Sequence, residues 1–244
     1  EVTIDRPKAN AIDKETSIVM GKIFKEFRDN SDLRVAIITG AGKKFFSAGW
    51  DLNAVTKGET ADTYYGVGGF GGLQELPKMN KPIIGAINGI ACGGGFEIMI
   101  STDIIIAAEH ATFSLPEINV GVIADAASIK LRRRIPYHVA IEFLMTGRWM
   151  DAKEAKHWGL INEIVSSKNL LSRAREIAHK IAKGPALIYP AIKDVLQQTE
   201  NIDEQPSFDL LRKLKTVKKV YRSQDLMEGA KSFVGKKKPK WKGN

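Results

Sequence analysis

The 244 residues include 37 Lys and Arg against 28 Asp and Glu, a net charge of +9, and 43% of them are hydrophobic. That length can hold one substantial domain with a real core, and no stretch approaches the roughly 18 uninterrupted apolar residues of a membrane span. A lone cysteine, Cys92, excludes an internal disulfide framework and suits a reducing compartment such as the cytoplasm, while His110, His138, His157 and His179 lack metal-ligand spacing, so no metal site is read.

The chain opens on the strand-like run from Glu1 to Ile4, with room for a segment upstream. After Ala11 an amphipathic stretch predicts a helix that ends near Asn30. β-Branched runs then predict strands at Val35–Thr39, Pro82–Ile87, Asp103–Ala107 and Leu160–Val165. Their alternation with helical stretches is the pattern of an α/β domain. Thr56–Leu73 fits no element. It contains Tyr64-Tyr65-Gly66-Val67-Gly68-Gly69-Phe70-Gly71-Gly72, too much glycine for a packed element, and reads as a binding lid or a surface loop. From about Lys168 the pattern becomes helical, predicting helices over Leu170–Lys183, Pro185–Thr199, Ser207–Val220 and Ser223–Val234. This region would pack on the α/β core or on a neighbouring subunit.

Much of the positive charge lies in Lys236-Lys237-Lys238-Pro239-Lys240-Trp241-Lys242. Such a run is a solvated tail, a phosphate-binding segment or a nucleic-acid contact. No aromatic-plus-basic RNA signature accompanies it, which ranks nucleic acid last.

Two glycine-containing segments follow strands. One is Phe45-Phe46-Ser47-Ala48-Gly49-Trp50-Asp51-Leu52; the other is Asn88-Gly89-Ile90-Ala91-Cys92-Gly93-Gly94-Gly95-Phe96-Glu97, whose glycine triplet opens an apolar helix. A helix start exposes unpaired N–H groups and a partial positive charge, and glycine lets another atom approach that backbone closely. N–H groups at Gly94 and Trp50 would polarise a carbonyl that is gaining negative charge, each such donor being worth about 3–4 kcal/mol of barrier. The other reading is that the glycines only allow close helix–strand packing.

The carboxylates point the same way. Glu97 lies inside an apolar run, and Glu117 sits in Phe113-Ser114-Leu115-Pro116-Glu117-Ile118-Asn119-Val120. Burying such groups is costly unless they pair or shift their pKa. Facing one small volume, they would divide proton donation and acceptance. Alternatively, each forms a structural ion pair with Arg132, Arg133 or Arg134.

Taken in order, Phe46 to Leu52, Asn88 to Glu97 and Leu115-Pro116-Glu117 resemble the signature segments of the crotonase (enoyl-CoA hydratase/isomerase) superfamily. Flanking matches run almost end to end, from Asp5-Arg6-Pro7-Lys8-Ala9-Asn10-Ala11-Ile12 through Leu144-Met145-Thr146-Gly147-Arg148 and Trp158-Gly159-Leu160-Ile161-Asn162 to Glu228-Gly229-Ala230-Lys231-Ser232-Phe233. The resemblance implies an α/β spiral core of repeated ββα units over residues 1–183 and a helical trimerisation region over 184–244, assembled as a trimer or hexamer. It implies a hydro-lyase acting on an acyl-CoA thioester, with coenzyme A part of the substrate and no separate cofactor. By motif position, Trp50 and Gly94 would form the oxyanion hole, Glu97 would activate water, and Glu117 would exchange the α-proton. Lys8, Ala9, Ala11 and Ala48 would line the coenzyme-A groove, and Lys236 would meet its phosphates.

Within the superfamily, the likeness is greatest to the branch acting on carnitinyl-CoA and crotonobetainyl-CoA. It is carried by Arg6 to Asp13, Leu33 to Gly40, Trp50, Gly68 to Leu73 and Trp241-Lys242-Gly243. A trimethylammonium tail needs aromatic faces and a carboxylate, for which Asp125, Tyr65 and Phe70 are the candidates beside Trp50 and Tyr64. One segment departs from the family: Ala124-Asp125-Ala126-Ala127-Ser128 stands where Pro-x-x-Gly-Gly is common, which alters the pocket but not the glutamates. The alternatives are a generic enoyl-CoA hydratase or isomerase, a pseudoenzyme, and, more distantly, an RNA-binding protein on a crotonase scaffold.

Overall fold

A computed structural model describes residues 1–244. Along most of the chain the strands alternate between two sheets. The larger sheet is parallel and contains β1 (Val2–Ile4), β2 (Ala36–Gly40), β4 (Ile83–Ile87), β6 (Ile104–Ala108) and β9 (Glu163–Val165), in the order β1-β2-β4-β6-β9. The smaller contains β3 (Phe45–Ser47), β5 (Ile90–Cys92), β7 (Thr112–Ser114) and β8 (Trp149–Asp151), in that order, with only the last pair antiparallel. The pairs β2–β3, β4–β5 and β6–β7 therefore each give one strand to either sheet, with helical turns between pairs, while β1 and β8 join the sheet of a sequence neighbour. This is the expected crotonase architecture of ββα units.

Apart from Thr39, the long strands carry no polar side chain and do not alternate, because both faces are covered. Every residue of β2 and β4 is buried. On one face lies the main core, filled by Phe24, Phe46, Phe96, Phe113 and Phe143. On the other, Ile37, Ile84 and Ile106 meet Leu170 and Ala174 of α7 (Leu170–Ala182).

Helix α1 (Lys14–Asp29) begins where Asp13 accepts the Thr16 N–H at 2.9 Å, an N-cap worth about 1 kcal/mol. It buries Met20, Phe24 and Phe27 along one face. Arg6 then ties its start to the segment after β3, pairing with Asp13 at 2.5 Å and Asp51 at 2.9 Å.

The glycine-rich stretch is not a loose lid. It follows a single helical turn, α2 (Leu52–Val55), and ends in a 3₁₀ turn over Phe70–Gly72 that packs against α1. Tyr65, Gly68, Gly69, Gly71 and Gly72 are buried, and the Gly71 N–H donates to Ser17 Oγ at 3.0 Å. A Cβ on Gly72 would stand 2.2 Å from the α1 backbone at Gly21 N. Glycine here permits contact between backbones rather than flexibility.

The remaining helices are α3 (Gly94–Ile100), α4 (Asp125–Lys130), α5 (Tyr137–Thr146), α6 (Ala152–His157), α8 (Ile188–Thr199), α9 (Glu204–Lys213), α10 (Lys215–Tyr221) and α11 (Gln224–Val234). The helix predicted over Ser207–Val220 is thus two helices, broken where Leu214 turns extended at ψ 130°. Lys193 of α8 anchors the helical region to the core through Asp103 at 2.8 Å. No helix is long and apolar enough to cross a membrane.

Candidate active site

Gly49 brings two backbone segments together. It adopts φ +83°, and a Cβ there would fall 2.6 Å from Cys92 O and 2.7 Å from Gly94 N. Only glycine lets the β3 exit lie this close to the start of α3. Beside it, Ile12 and Trp50 form a parallel bridge, in which the Ile12 N–H donates to Gly49 O at 2.7 Å and the Asp51 N–H donates to Ile12 O at 2.8 Å. The bridge uses the residues flanking Trp50, so the Trp50 N–H itself points away from Ile12 and donates to no protein acceptor. Gly94 opens α3, where the N–H has no intrahelical partner. Two adjacent, unclaimed amides result.

Both border a cavity of about 550 Å³. The candidates Ala48, Trp50, Gly94, Glu97, Glu117, Asp125, Tyr65 and Phe70 all line it. Phe70 lies against the helix start, since a Cβ on Gly94 would come 2.3 Å from its Cε1. The coenzyme-binding candidates are less united. Lys8, Ala9 and Ala11 are not in the cavity wall but run beside it, where Ala9 O accepts the Ala48 N–H at 3.0 Å. Lys236 follows the end of α11, exposed, and does not reach the cavity within one chain.

Glu97 stands in the first turn of α3 and is 6% exposed. Burial pushes its pKa up to about 7, assisted by the charges of Glu117 and Asp125, and the Ala127 N–H opposes the rise by donating to Oε1 at 2.8 Å. Glu117 is carried by the 3₁₀ turn Pro116–Val120 that follows β7. Burial, and then the charge of Asp125, also raises its pKa. Its Oε1 lies 3.0 Å from where a Cβ on Gly93 would be, so it flanks the same glycine triplet. Its Oε2 is buried and unpartnered. No arginine neutralises either glutamate: Arg133 pairs with Glu200 and Arg134 donates to Thr102 O. The structural ion pairs do not form. Beside Glu117, burial lifts the Cys92 thiol to about 11, leaving it protonated.

The segment that departs from the family keeps its part in this arrangement. It forms the start of α4, and what it gives Glu97 is the backbone N–H of Ala127, a donor that every residue but proline carries. No sequence motif marks this donor. None marks Gln74 either, a buried residue of the cavity wall whose Nε2 donates to Gly94 O at 3.4 Å. Lys130 is equally unmarked; it donates to Gln74 O at 2.6 Å and Ser101 Oγ at 2.8 Å, and burial lowers its pKa to about 8. Backbone donors and contacts made through carbonyls leave no pattern of residue types to read.

The profile of the family described as Enoyl-CoA hydratase/isomerase matches residues 1–244. The chain belongs to that family. Among its similar members, a protein named carnitinyl-CoA dehydratase from Proteus mirabilis (strain HI4320) is 47% identical, the match covering 100% of this chain and 94% of the relative. The protein of the same name from Escherichia coli O157:H7 is 45% identical over the same shares. The crystal structure of enoyl-CoA hydratase from Mycobacterium tuberculosis H37Rv superposes with a TM-score of 0.90 at 32% identity, covering 99% of this chain and 94% of that one. Membership in the enoyl-CoA hydratase/isomerase family agrees with the spiral of ββα turns and the cavity where β3 meets α3.

Proposed function

We propose that the chain is a hydro-lyase that removes water from, or adds it across, the α,β bond of carnitinyl-CoA and crotonobetainyl-CoA. The observation that carries this reading is the lining of the cavity. Glu97 and Glu117 face it beside the Trp50 and Gly94 amides, and none of its 23 lining residues is Lys, Arg or His. Asp62, Glu75 and Asp125 add negative charge, and Trp50, Tyr64, Tyr65 and Phe70 add aromatic surface. An anionic, aromatic pocket suits a quaternary ammonium tail. The relatives named carnitinyl-CoA dehydratase support the same assignment.

In the hydration direction the thioester oxygen accepts from both amides, which stabilise the enolate as it forms. Glu97 takes a proton from water as its oxygen attacks the β-carbon, and Glu117 delivers a proton to the α-carbon. Dehydration runs these steps backwards: Glu117 removes the α-proton, and Glu97 protonates the departing hydroxyl. A carboxyl with pKa about 7 suits both directions, since each protonation state is populated near neutral pH.

We further assign residues 184–244 to oligomerisation, as a trimer or hexamer in the cytoplasm. In one chain, Phe233 and Val234 at the end of α11 are 87% and 83% exposed, and Leu196 of α8 is 64% exposed. Lys236 adjoins that apolar surface, so it would reach coenzyme A from a neighbouring subunit. Parallel assays test the substrate assignment. With crotonobetainyl-CoA, kcat/KM is expected to exceed that with crotonyl-CoA by about tenfold or more. Equal or reversed values would make the chain a generic enoyl-CoA hydratase, the activity named for the Mycobacterium tuberculosis structure.

A further inference from the structure

Behind the aromatic wall lies a carboxylate that is not itself part of the cavity lining. Glu59 follows α2 in the glycine-rich segment. Its Oε1 accepts the Trp50 indole N–H at 2.8 Å and, at 3.0 Å, shares the single Tyr65 hydroxyl proton with Thr60 O at 3.1 Å. Its Oε2 accepts the backbone N–H of Lys14, the first residue of α1, at 3.1 Å. No basic side chain forms an ion pair with it. The indole donates outright, and the phenol in part, to one carboxylate whose charge no side-chain cation cancels, and both rings line the cavity on their other side. Tyr65 is fixed further by Phe70, which meets it edge to face at 5.3 Å between centroids.

We propose that Glu59 is a positioning residue for substrate choice: it pins Trp50 and Tyr65 and, through their donated protons, makes the ring wall more attractive to a cationic acyl tail. The inference rests on the quaternary-ammonium reading above. A hydrogen bond from an indole N–H or a phenol O–H to a carboxylate moves electron density into the ring. A ring face attracts a cation through that negative density, and charge-assisted donors respond more strongly than neutral ones. Burial and the Glu59 hydrogen bond together raise the Tyr65 pKa, so its hydroxyl remains a donor. With no Lys, Arg or His in the wall, nothing in the lining opposes the effect.

The test compares Glu59→Gln with the parent on crotonobetainyl-CoA and crotonyl-CoA. Glutamine keeps an acceptor for the two rings but removes the charge. The ratio of kcat/KM for the cationic over the neutral thioester should fall about tenfold, mainly through KM for the cationic one, while the neutral substrate loses no more than about threefold. A variant that loses both substrates equally, or keeps the parent ratio, would overturn the role of Glu59 and leave the functional reading intact. A parent enzyme with no preference for the cationic thioester would instead refute that reading. If Glu59→Gln does not fold, Tyr65→Phe, which removes one of the two ring donors, carries the test: a lower ratio supports the proposal, and an unchanged ratio overturns it.

Discussion

Glu117→Gln is expected to lower kcat by about 10²–10⁴, and Glu97→Gln by a similar factor, with KM changing far less. Each glutamine fills the same volume but cannot take or give a proton. Burial raises the pKa of both carboxyls, so neither variant should be destabilised at neutral pH, which separates lost chemistry from lost fold. In the folded chain Glu97 holds its proton up to a pH of about 7, whereas the unfolded chain releases it near the ordinary value of 4.5. Between those values the folded state binds more protons, so its stability falls as pH rises through the window and the buried charge remains a penalty above it. Glu97→Gln removes that penalty. It should therefore be more stable than the parent at pH 8 by on the order of 1–3 kcal/mol, the advantage shrinking toward pH 4.5. Urea denaturation at several pH values reads the difference, and steady-state kinetics reads the loss of rate. A folded Glu117→Gln variant with parental kcat would remove that carboxyl from the mechanism.

Gly49→Ala should be nearly as damaging to turnover, although it alters no polar group. The new methyl would meet Cys92 O at 2.6 Å and Gly94 N at 2.7 Å, in a backbone at φ +83° that alanine adopts only with strain. The β3 exit must then move away from α3, which separates the Trp50 and Gly94 amides. Losing the concerted action of one donor typically costs 10²–10³ in kcat, and overpacking with strain should take about 1–3 kcal/mol from stability. Thermal melts identify the folded fraction, so the loss can be expressed per folded enzyme. Near-parental turnover by folded Gly49→Ala would mean that the amides do not act together.

What could be read from the sequence, and what could not, divides along physical lines. The long central strands and α1 were legible because burial on both faces yields continuous apolar runs such as Ile83–Ile87, and burial on one face yields the spacing of Met20, Phe24 and Phe27. The smaller sheet was not, since Phe45–Ser47 or Trp149–Asp151 is too short to display a period. The break at Leu214 carries neither glycine nor proline to mark it. In the glycine-rich segment composition misled: glycines that suggested looseness are the points where the backbone touches α1. The glutamates stood out because charge within an apolar run demands an explanation. Glu59 did not, because a loop carboxylate looks solvated until the rings that donate to it are in view.

All of these effects depend on a thioester carbonyl lying between the Trp50 and Gly94 amides with the two carboxyls beside its acyl chain. A crystal structure of Glu117→Gln with crotonobetainyl-CoA bound measures this directly. The thioester oxygen is expected about 2.7–3.1 Å from both N–H nitrogens, with Glu97 next to the β-carbon and residue 117 next to the α-carbon. A carbonyl oxygen held by other donors, with either carboxyl position remote from the acyl chain, would contradict the account.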